Sequence, residues 1–368
     1  MAAMGADGSV TAKELIRRLR PERLRDLDVV RQLAVETPLV EIADELPNRN
    51  RLWLKLESAQ PVRSFKIRGA TYALASQLDD LRRRGVVADS GGNHSQALAF
   101  AGARLGVPVK IIMASVVPKM KVETTRRFGA TDGSFEIDTT PPDFVLAKEA
   151  AKRVAAREGR RYLSPYDDED IIRGTATLVP EILRQLAERG ADVPRTVHVP
   201  IGGGGLISGP ANVAAELGRP FALYGHEIVG ADSAARSFDS PAPVEVPGEL
   251  NQYAEGLAVR VMGVRTHQRL RDRKVDGVLV ATLAEVGAAY EWYRSAALPQ
   301  LGVHPTDEEE VWSTLPEVSS MVAIAGLLRY LRESESWGQA HLVVVSGGNL
   351  DRASARAAMA ARAAERGD

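Results

Sequence analysis

Lys66 lies in a short segment whose residue types suit amine chemistry. It follows the aromatic Phe65 and precedes the small residues Gly69 and Ala70 in the stretch Ser64-Phe65-Lys66-Ile67-Arg68-Gly69-Ala70. A lysine amine loses its proton readily when burial removes water from its charge, and this property suits Schiff-base chemistry. Because a buried structural lysine fits the same residues, the segment alone does not decide between the two roles.

Four consecutive glycines, Gly202 to Gly205, separate a predicted strand from Leu206 and a helix that we expect to start near Ser208. Such a loop can aim several backbone N–H groups at one place beside a helix N-terminus, which favours a phosphate. The spacing matches neither the GxGxxG pattern nor the Walker pattern, so a nucleotide fold is disfavoured. An ordinary glycine turn between strand and helix is the alternative.

Two more glycine loops follow predicted strands. The loop from Ser90 to His94 offers amides for a carboxylate, while Asn93 can donate to a phenolate oxygen or cap the next helix. In the last loop the Ser346 hydroxyl can bond a ring nitrogen or cap the final helix. Ligands bind in α/β folds at the carboxyl ends of parallel strands. A reactive lysine, a phosphate cradle and two further loops there predict pyridoxal 5′-phosphate as the cofactor.

The elements that must position these loops alternate between strands and helices. We predict strands over 51–57, 86–88, 109–113, 196–200 and 341–345, and helices over 11–36, 119–128 and 143–157. Buried strands that alternate with helices are typical of parallel α/β sheets covered on both faces. Because 368 residues exceed one simple core, two domains are predicted.

Composition narrows the class of protein. A net charge of −1 gives no bulk field for nucleic acid or an acidic membrane, so neither is expected as a partner. The absence of cysteine excludes disulfides, Cys-ligated zinc, iron–sulfur clusters and thiol nucleophiles. No apolar run reaches the roughly 18 residues of a membrane span, and the N-terminus lacks a signal-peptide pattern. We expect a cytoplasmic protein whose first ten residues are disordered.

In this order, the motifs resemble those of the fold-type II pyridoxal-phosphate enzymes, in their threonine/serine dehydratase and serine racemase branch. The likeness extends from about Thr37 to Asn349. It implies an α/β fold similar to the tryptophan synthase β chain, with two open parallel-sheet domains. The large cofactor-binding domain would comprise 1–80 and 160–368, and a small mobile domain, 81–159, would close over the substrate. Because dimers are the commonest soluble oligomers, we also expect a homodimer.

The resemblance gives each motif a role. Lys66 holds the cofactor as a Schiff base and then acts as base on the substrate Cα, Phe65 packs near the ring, and Asn93 bonds the 3′-oxygen. Ser346 faces the ring nitrogen, and its neutral hydroxyl favours prompt β-elimination over a long-lived carbanion. The remaining groups are the phosphate loop Gly202, Gly203, Gly204, Gly205 and Leu206, and the substrate loop Ser90, Gly91, Gly92, Asn93 and His94.

The chain also departs from the pattern of that branch. Racemases carry a serine, the second base, where this chain has Gly91, so racemisation is not expected. Glu255 stands where Asp is usual, and the segment from Glu317 to Met321 replaces a Glu-Pro-Ser/Ala-Gly-Ala type sequence. Glu227 is the candidate ligand for a divalent cation. An insertion over 298–313 carries an acidic run that we interpret as solvated surface.

The predicted function is dehydration and deamination of a small β-hydroxy amino acid, L-threonine or L-serine, to a 2-keto acid and ammonia. The first alternative is a β-replacement synthase that works through an aminoacrylate in a specialised amino-acid biosynthetic pathway. The second is a cofactor-binding protein without turnover, against which Lys66 and Ser346 argue. Arg63 can meet an anionic substrate side chain or serve the structure. Because nineteen residues follow Asn349, feedback regulation of the allosteric threonine deaminase type is not expected.

Overall fold

Ten strands lie within residues 10–43 and 46–367, which the computed structural model describes apart from the side chains of residues 273 and 274. The predicted disorder of the first ten residues falls outside this description, except for Val10. The strands are β1 (Leu39–Ile42), β2 (Arg51–Leu56), β3 (Val86–Asp89), β4 (Val109–Ile112), β5 (Phe135–Asp138), β6 (Arg161–Tyr162), β7 (Thr196–Pro200), β8 (Ala222–Ile228), β9 (Gly277–Ala281) and β10 (Ala340–Val345).

These strands form two separate sheets. The larger has the order β1-β2-β10-β7-β8-β9, and the smaller has the order β5-β4-β3-β6. Every pairing is parallel except that of the edge strand β1 with β2. The predicted parallel α/β class is therefore confirmed, with one antiparallel edge strand that the sequence analysis did not anticipate.

Helices connect the strands and cover the sheets. They are α1 (Ala12–Arg18), α2 (Pro21–Val30), α3 (Lys66–Ala75), α4 (Leu78–Arg84), α5 (Asn93–Leu105), α6 (Lys119–Phe128), α7 (Phe144–Glu158), α8 (Glu169–Ala176), α9 (Leu178–Glu188), α10 (Gly205–Glu216), α11 (Ser233–Ser237), α12 (Val264–Arg269), α13 (Leu283–Trp292), α14 (Leu298–Gln300), α15 (Glu308–Thr314), α16 (Val318–Glu333) and α17 (Arg352–Arg366). Short 3-10 turns occupy Pro47–Arg49 and Glu57–Ala59, and π-helical turns occupy Leu270–Lys274 and Tyr293–Ala297.

The predicted helices differ in how closely they match. The helix expected over 119–128 is confirmed, and the one expected over 143–157 is α7, capped by the Asp143 side chain. The single helix expected over 11–36 is wrong, because the chain leaves α1 at Leu19 and starts α2 at Pro21. Proline lacks the N–H that a helix interior needs but fits a first turn, so it starts a second helix.

Three apolar clusters fill the interior. One surrounds the smaller sheet and includes Val87 and Ile111, and the other two involve the larger sheet, around Val199 and Val343 respectively. Among the described residues, no single helix is long and apolar enough to cross a bilayer; α15 and α16 meet that criterion only as a pair bent by 78°.

A hydrogen-bond chain on the larger sheet joins the strands that lead to two of the glycine loops. The Ser336 hydroxyl donates to the side-chain oxygen of Asn50, because the side-chain nitrogen of Asn50 donates to two backbone carbonyls. This direction fixes which atom donates in each of the other hydrogen bonds of the chain. The chain runs through His226, His198, Thr196, His341 and Ser336, at 2.7–3.2 Å. Each imidazole is neutral in this order, because burial lowers its pKa. β8, β7 and β10 are thereby locked together.

Four buried charges lie directly behind the lysine segment. Arg68 binds Glu57 through two nitrogens at 2.8 Å and Glu181 at 2.7 and 3.0 Å. Lys55 donates to Glu181 at 2.6 Å and to the Thr37 carbonyl at 2.7 Å. The four charged side chains are at most 1% exposed and sum to zero. This cluster ties β2, α3 and α9 together.

Replacing Arg68 by Met is expected to lower the free energy of unfolding by about 3–5 kcal/mol, because Glu57 and Glu181 keep their buried charges and lose their main partner. Urea denaturation measures the change. Arg25→Gln, which breaks the exposed pair of Arg25 with Glu22, is the matched control and is expected to leave the free energy of unfolding nearly unchanged. Equal costs for the two variants would contradict the assigned weight of the buried cluster.

Candidate functional site

The lysine loop and the last glycine loop lie side by side. Lys66 is the first residue of α3, and the Phe65 amide just before it donates to the Ser346 carbonyl at 3.0 Å. Ser64 forms an isolated antiparallel bridge with Gly347. Because these contacts are backbone to backbone, they fix Lys66 at the carboxyl end of β10.

The Lys66 amine is held in place by an uncharged acceptor. Nζ donates to the Pro165 carbonyl at 2.8 Å and lies 5.1 Å from the centre of the Phe65 ring. Although the residue as a whole is only partly buried, its amine is enclosed deeply enough that burial lowers its pKa to about 8, against the opposing charge of Glu317. With this pKa, about a tenth of the amine is neutral at pH 7, far more than for an exposed lysine.

Asn93 does not cap α5, so that alternative is wrong. Gly92 precedes the helix, and the Asn93 amide instead donates to both oxygens of Glu317 at 3.0 and 3.2 Å. Its carbonyl accepts from Asn349 at 2.8 Å. Burial raises the pKa of Glu317, while Asn93 and the charges of Lys121 and Lys66 oppose the rise. The site thus contains a buried carboxyl group close to the lysine.

Ser346 does not cap the final helix either. Asp351 caps α17, whereas the buried Ser346 hydroxyl lies 3.0 Å from the Ser320 hydroxyl. Ser320 also accepts from the Gly347 amide at 2.8 Å and donates to the Gly347 carbonyl at 2.9 Å. The two hydroxyls make a neutral pair at the end of β10.

The loop from Ser90 to His94 is closely packed on one side. A Cβ atom at Gly91 would lie 2.4 Å from Cγ2 of Val117, so this position has no room for a side chain. A Cβ atom at Gly92 would have no other atom within 4 Å among the described residues. Neither ring nitrogen of the buried His94 has a hydrogen-bond partner among the described residues. Burial lowers the pKa of His94 to about 3, and the charge of Lys66 adds to that effect.

The four-glycine loop forms a cradle at the start of α10, which begins at Gly205 rather than near Ser208. Gly204 has φ of +88°, and Cβ atoms at Gly203 or Gly205 would overlap Tyr166. Among the described residues, the amides of residues 202–205 donate to no other group. Leu206 is buried in the first turn. The loop therefore presents free N–H groups and depends on glycine to do so.

Two further positions from the sequence analysis, Glu227 and Arg63, lie outside this constellation. Both carboxylate oxygens of Glu227 accept from the amides of Ala234 and Ala235 at 2.8 Å, and no group of three or more His, Cys, Asp or Glu among the described residues is placed to hold a metal ion. Arg63 donates to the carbonyls of Gly348 and Ser313 at 3.1 Å, which favours its structural role.

The acidic run of the 298–313 insertion pairs with the last helix. Glu309 binds Arg352 and Glu308 binds Arg356 on α17. The carboxylates of Glu308 and Glu309 are 74% and 73% exposed, which agrees with the solvated surface that we expected.

Sequence reasoning missed several groups that complete the site. The Pro165 carbonyl and the Tyr166 ring come from the loop after β6, and Ser320 and Asn349 hold the last glycine loop. Nothing in the local spacing marks Pro165 or Tyr166, whereas Asn349 ends the last glycine loop and Ser320 lies in the segment from Glu317 to Met321. The Glu317 carboxylate had a signal, since its segment stands out as a departure, but its bond to Asn93 spans 224 positions.

Comparisons with known proteins agree with this geometry. The family described as pyridoxal-phosphate dependent enzyme matches residues 30–347. A biosynthetic L-threonine dehydratase of Lactococcus lactis is 30% identical over 334 residues, which cover 88% of this chain and 73% of the relative. The biosynthetic, chloroplastic threonine dehydratase 1 of Solanum lycopersicum is 31% identical over 346 residues, 94% of this chain and 52% of the relative.

Solved structures give the same picture. The processed form of threonine deaminase isoform 2 from Solanum lycopersicum superposes with a TM-score of 0.78 at 27% identity, and covers 96% of this chain and 94% of that one. Maize serine racemase superposes with a TM-score of 0.76 at 26% identity, and covers 98% and 100% respectively. The chain spans between half and three quarters of the length of the two curated relatives above.

The packing at Gly91 predicts a coupling that can be measured. Gly91→Ser is expected to destabilise the protein by about 1–3 kcal/mol, because the new side chain overlaps Val117. Val117→Ala in the same chain removes the overlapping methyl groups and leaves its own Cβ at 3.3 Å. A double-mutant cycle in urea should therefore give a favourable interaction energy of at least about 1 kcal/mol. Additive effects would show that Val117 does not close the position.

Proposed function

The chain belongs to the pyridoxal-phosphate-dependent enzymes, in their threonine and serine dehydratase branch, and we propose that it converts L-threonine or L-serine to a 2-keto acid and ammonia. The overall reaction removes water across Cα and Cβ and then hydrolyses the nitrogen-bearing product. One observation carries the proposal: the buried, partly neutral Lys66 amine lies beside the Ser346 loop, and among the described residues the Ser346 hydroxyl hydrogen-bonds only to the Ser320 hydroxyl.

The residues present fit the cofactor of this family. Among the described residues the amides of the glycine cradle have no partner, and a Cβ atom on Gly203, Gly204 or Gly205 would clash with Tyr166 or Thr266, so the cradle needs glycine to keep its shape. When bound, pyridoxal phosphate supplies an aldehyde that reacts with amines and a ring that accepts electrons from a bond broken at Cα. Lys66 would hold the aldehyde carbon and Asn93 the phenolic oxygen, while Ser346 would face the ring nitrogen.

The remaining assignments rest on the resemblance together with this geometry. The amides of the cradle, Gly202 to Gly205 with Leu206, would bind the phosphate, and Phe65 would pack near the ring. The amides of the loop from Ser90 to His94 would hold the substrate carboxylate. Because Gly92 is open where Gly91 is blocked, the free face of this loop supports such a contact.

Lys66 is the group that moves the Cα proton in this proposal. Its lowered pKa allows a neutral amine, and the Pro165 carbonyl orients that amine. Because this carbonyl is uncharged, it does not stabilise the protonated amine as a carboxylate would. Glu317 holds the Asn93 amide through both oxygens. We assign Glu317 to positioning Asn93, since its contact is with that side chain.

Elimination is favoured over racemisation by two features of the chain. The hydroxyl pair of Ser346 and Ser320 is neutral, so it does not stabilise a positive charge on the ring nitrogen as a carboxylate would. Val117 fills the space beside Gly91, where a second base would need a side chain. With Lys66 as the one base, no side chain on the opposite face would return a proton to Cα. Loss of the β-hydroxyl as water would therefore be favoured.

The proposal extends to the assembly. The smaller-sheet region, defined as 81–159, contains β3, β4 and β5, and the edge strand β6 lies just beyond it. This region would act as a mobile domain that closes on a large domain of 1–80 and 160–368, as the resemblance implies. A cytoplasmic homodimer with no nucleic-acid or membrane partner completes the proposal, supported by the net charge of −1 and by the frequency of dimers among soluble oligomers. Size-exclusion chromatography with light scattering tests the dimer.

The activity is tested by mixing the purified holoenzyme with single amino acids. L-Threonine or L-serine is expected to give its keto acid and one equivalent of ammonia, while the D-isomers give neither. Lys66→Ala is expected to lower turnover by at least about a thousandfold, because the base and the covalent attachment are both lost. Lys13→Ala, an exposed lysine on α1, is the matched control and should retain full activity.

Two outcomes would contradict this proposal. Product formed from a β-substituted alanine only when a second nucleophile is present would replace elimination by β-replacement. A holoenzyme that binds the cofactor but releases no keto acid from any amino acid would reduce the protein to a cofactor-binding protein.

The pH dependence of cofactor attachment follows from the Lys66 pKa. Only the neutral amine attacks an aldehyde, so the rate of pyridoxal phosphate uptake by the cofactor-free protein should rise with pH. With a pKa of about 8, the rate is expected to level off above pH 9. Absorbance after mixing measures it. A rate that still rises tenfold per unit above pH 9 would show that the amine titrates like an exposed lysine.

A further inference from the structure

One ion pair joins the smaller-sheet region to the larger-sheet region at the rim of the site. Lys121 lies in the first turn of α6, and its amine contacts the Glu255 carboxylate in the segment between α11 and α12. The side chains are 28% and 50% exposed respectively, so water reaches both. Such a pair can break and re-form without first unfolding its surroundings.

The Lys121 end is connected to the substrate loop. The Thr125 hydroxyl, one turn further along α6, donates to the Lys121 carbonyl at 2.9 Å and lies 3.2 Å from the Ser95 hydroxyl. Ser95 in turn donates to the Gly92 carbonyl at 2.7 Å. In addition, Val117 packs against Gly91 just before α6 begins. A displacement of α6 therefore moves the loop that would hold the carboxylate.

The Glu255 end is connected to the phosphate cradle and to the Glu317 segment. The amide of Gly256, the next residue, donates to the Ser319 hydroxyl at 3.0 Å. The Gly256 carbonyl lies 3.0 Å from where a Cβ of Gly202 would be, so the two segments touch. The position of Glu255 is thus set by the loops that surround the cofactor site on the larger sheet.

We propose that the Lys121–Glu255 ion pair is the closing contact of the site: it holds the substrate loop against the phosphate cradle and so retains substrate and cofactor. The proposal rests on the proposed function, because it assigns substrate and cofactor to these two loops. Both residues are positioning residues, since neither contacts the Lys66 amine or the Ser346 hydroxyl.

The surrounding charges favour this direction of closure. Besides Glu255, the acids that attract the Lys121 amine are Asp351 and Glu317, and both belong to the larger-sheet region. A cation on α6 therefore faces three carboxylates across the rim. Because exposed charges are screened over about 10 Å at 0.1 M salt, closure should weaken as ionic strength rises.

The first experiment removes one charge at a time. Glu255→Gln and Lys121→Gln are each expected to raise KM by about twofold to fivefold with little change in kcat, the range that a solvent-reached ion pair supports. The double variant Lys121→Gln with Glu255→Gln should raise KM no further than either single variant, because both changes remove the same contact. Lys110→Gln is the matched control, because Lys110 pairs at 3.1 Å with Glu136 inside the smaller sheet and should not change KM.

The second experiment needs no turnover. The chain contains no cysteine, so Lys121→Cys with Glu255→Cys gives a unique pair that a short bis-maleimide can bridge. Bridging the holoenzyme is expected to slow the release of pyridoxal phosphate at least tenfold, followed by absorbance. Lys110 and Glu136 lie opposite each other on β4 and β5, so the double variant Lys110→Cys with Glu136→Cys serves as the bridged control.

The results separate this proposal from the proposed function. Slow cofactor release in the bridged holoenzyme, with no keto acid formed from any amino acid by the unmodified enzyme, supports the closing contact and rejects the dehydratase. Release of pyridoxal phosphate that is unchanged by the bridge overturns the closing contact. Single variants whose KM and salt dependence equal those of the Lys110→Gln control overturn it as well. A KM of the double variant equal to that of either single variant assigns the effect to the pair, whereas additive increases in KM also overturn the closing contact.

Discussion

The buried cluster of Lys55, Glu57, Arg68 and Glu181 is the constraint on which the site depends. Its members come from β2, the turn after β2, α3 and α9, and each charge is removed from water. Such a cluster is stable only while every charge has its partner, so it permits one arrangement of these elements. Because Arg68 lies two residues after Lys66, that arrangement also fixes where the reactive amine enters the site.

Burial acts in opposite ways on the two cations of this helix. For Arg68, burial alone would lower the pKa, but contact with Glu57 and Glu181 raises it above its ordinary value. Lys66 has only a carbonyl as its hydrogen-bond acceptor and feels Glu317 from a distance, so burial dominates and lowers its pKa to about 8. In one helix turn, Arg68 therefore stays charged and stabilises the fold, whereas Lys66 can lose its proton.

Local patterns predicted what depends on nearby residues. The strand over 196–200, the helix over 119–128 and the glycine loops at strand ends all follow from short-range alternation and turn chemistry. Local patterns did not decide between capping and site roles for Asn93 and Ser346. The role of Asn93 depends on Glu317, 224 positions away, and that of Ser346 depends on Ser320, 26 positions away. Only the tertiary fold brings the members of each pair together. The break at Pro21 was readable from the sequence and was missed because the apolar stripe continues across it.

The departures from the family pattern become intelligible once packing is considered. Gly91 is matched by Val117, so the missing second base reflects a filled space rather than an empty one. Glu255 is one methylene longer than the usual Asp, which gives its carboxylate the reach to meet Lys121 across the rim. Both changes lie on loops that the proposal assigns to the substrate or cofactor, whereas Lys66 and the cradle carry the resemblance itself. In the proposal, the residues that close the site are therefore separate from the groups that perform the chemistry.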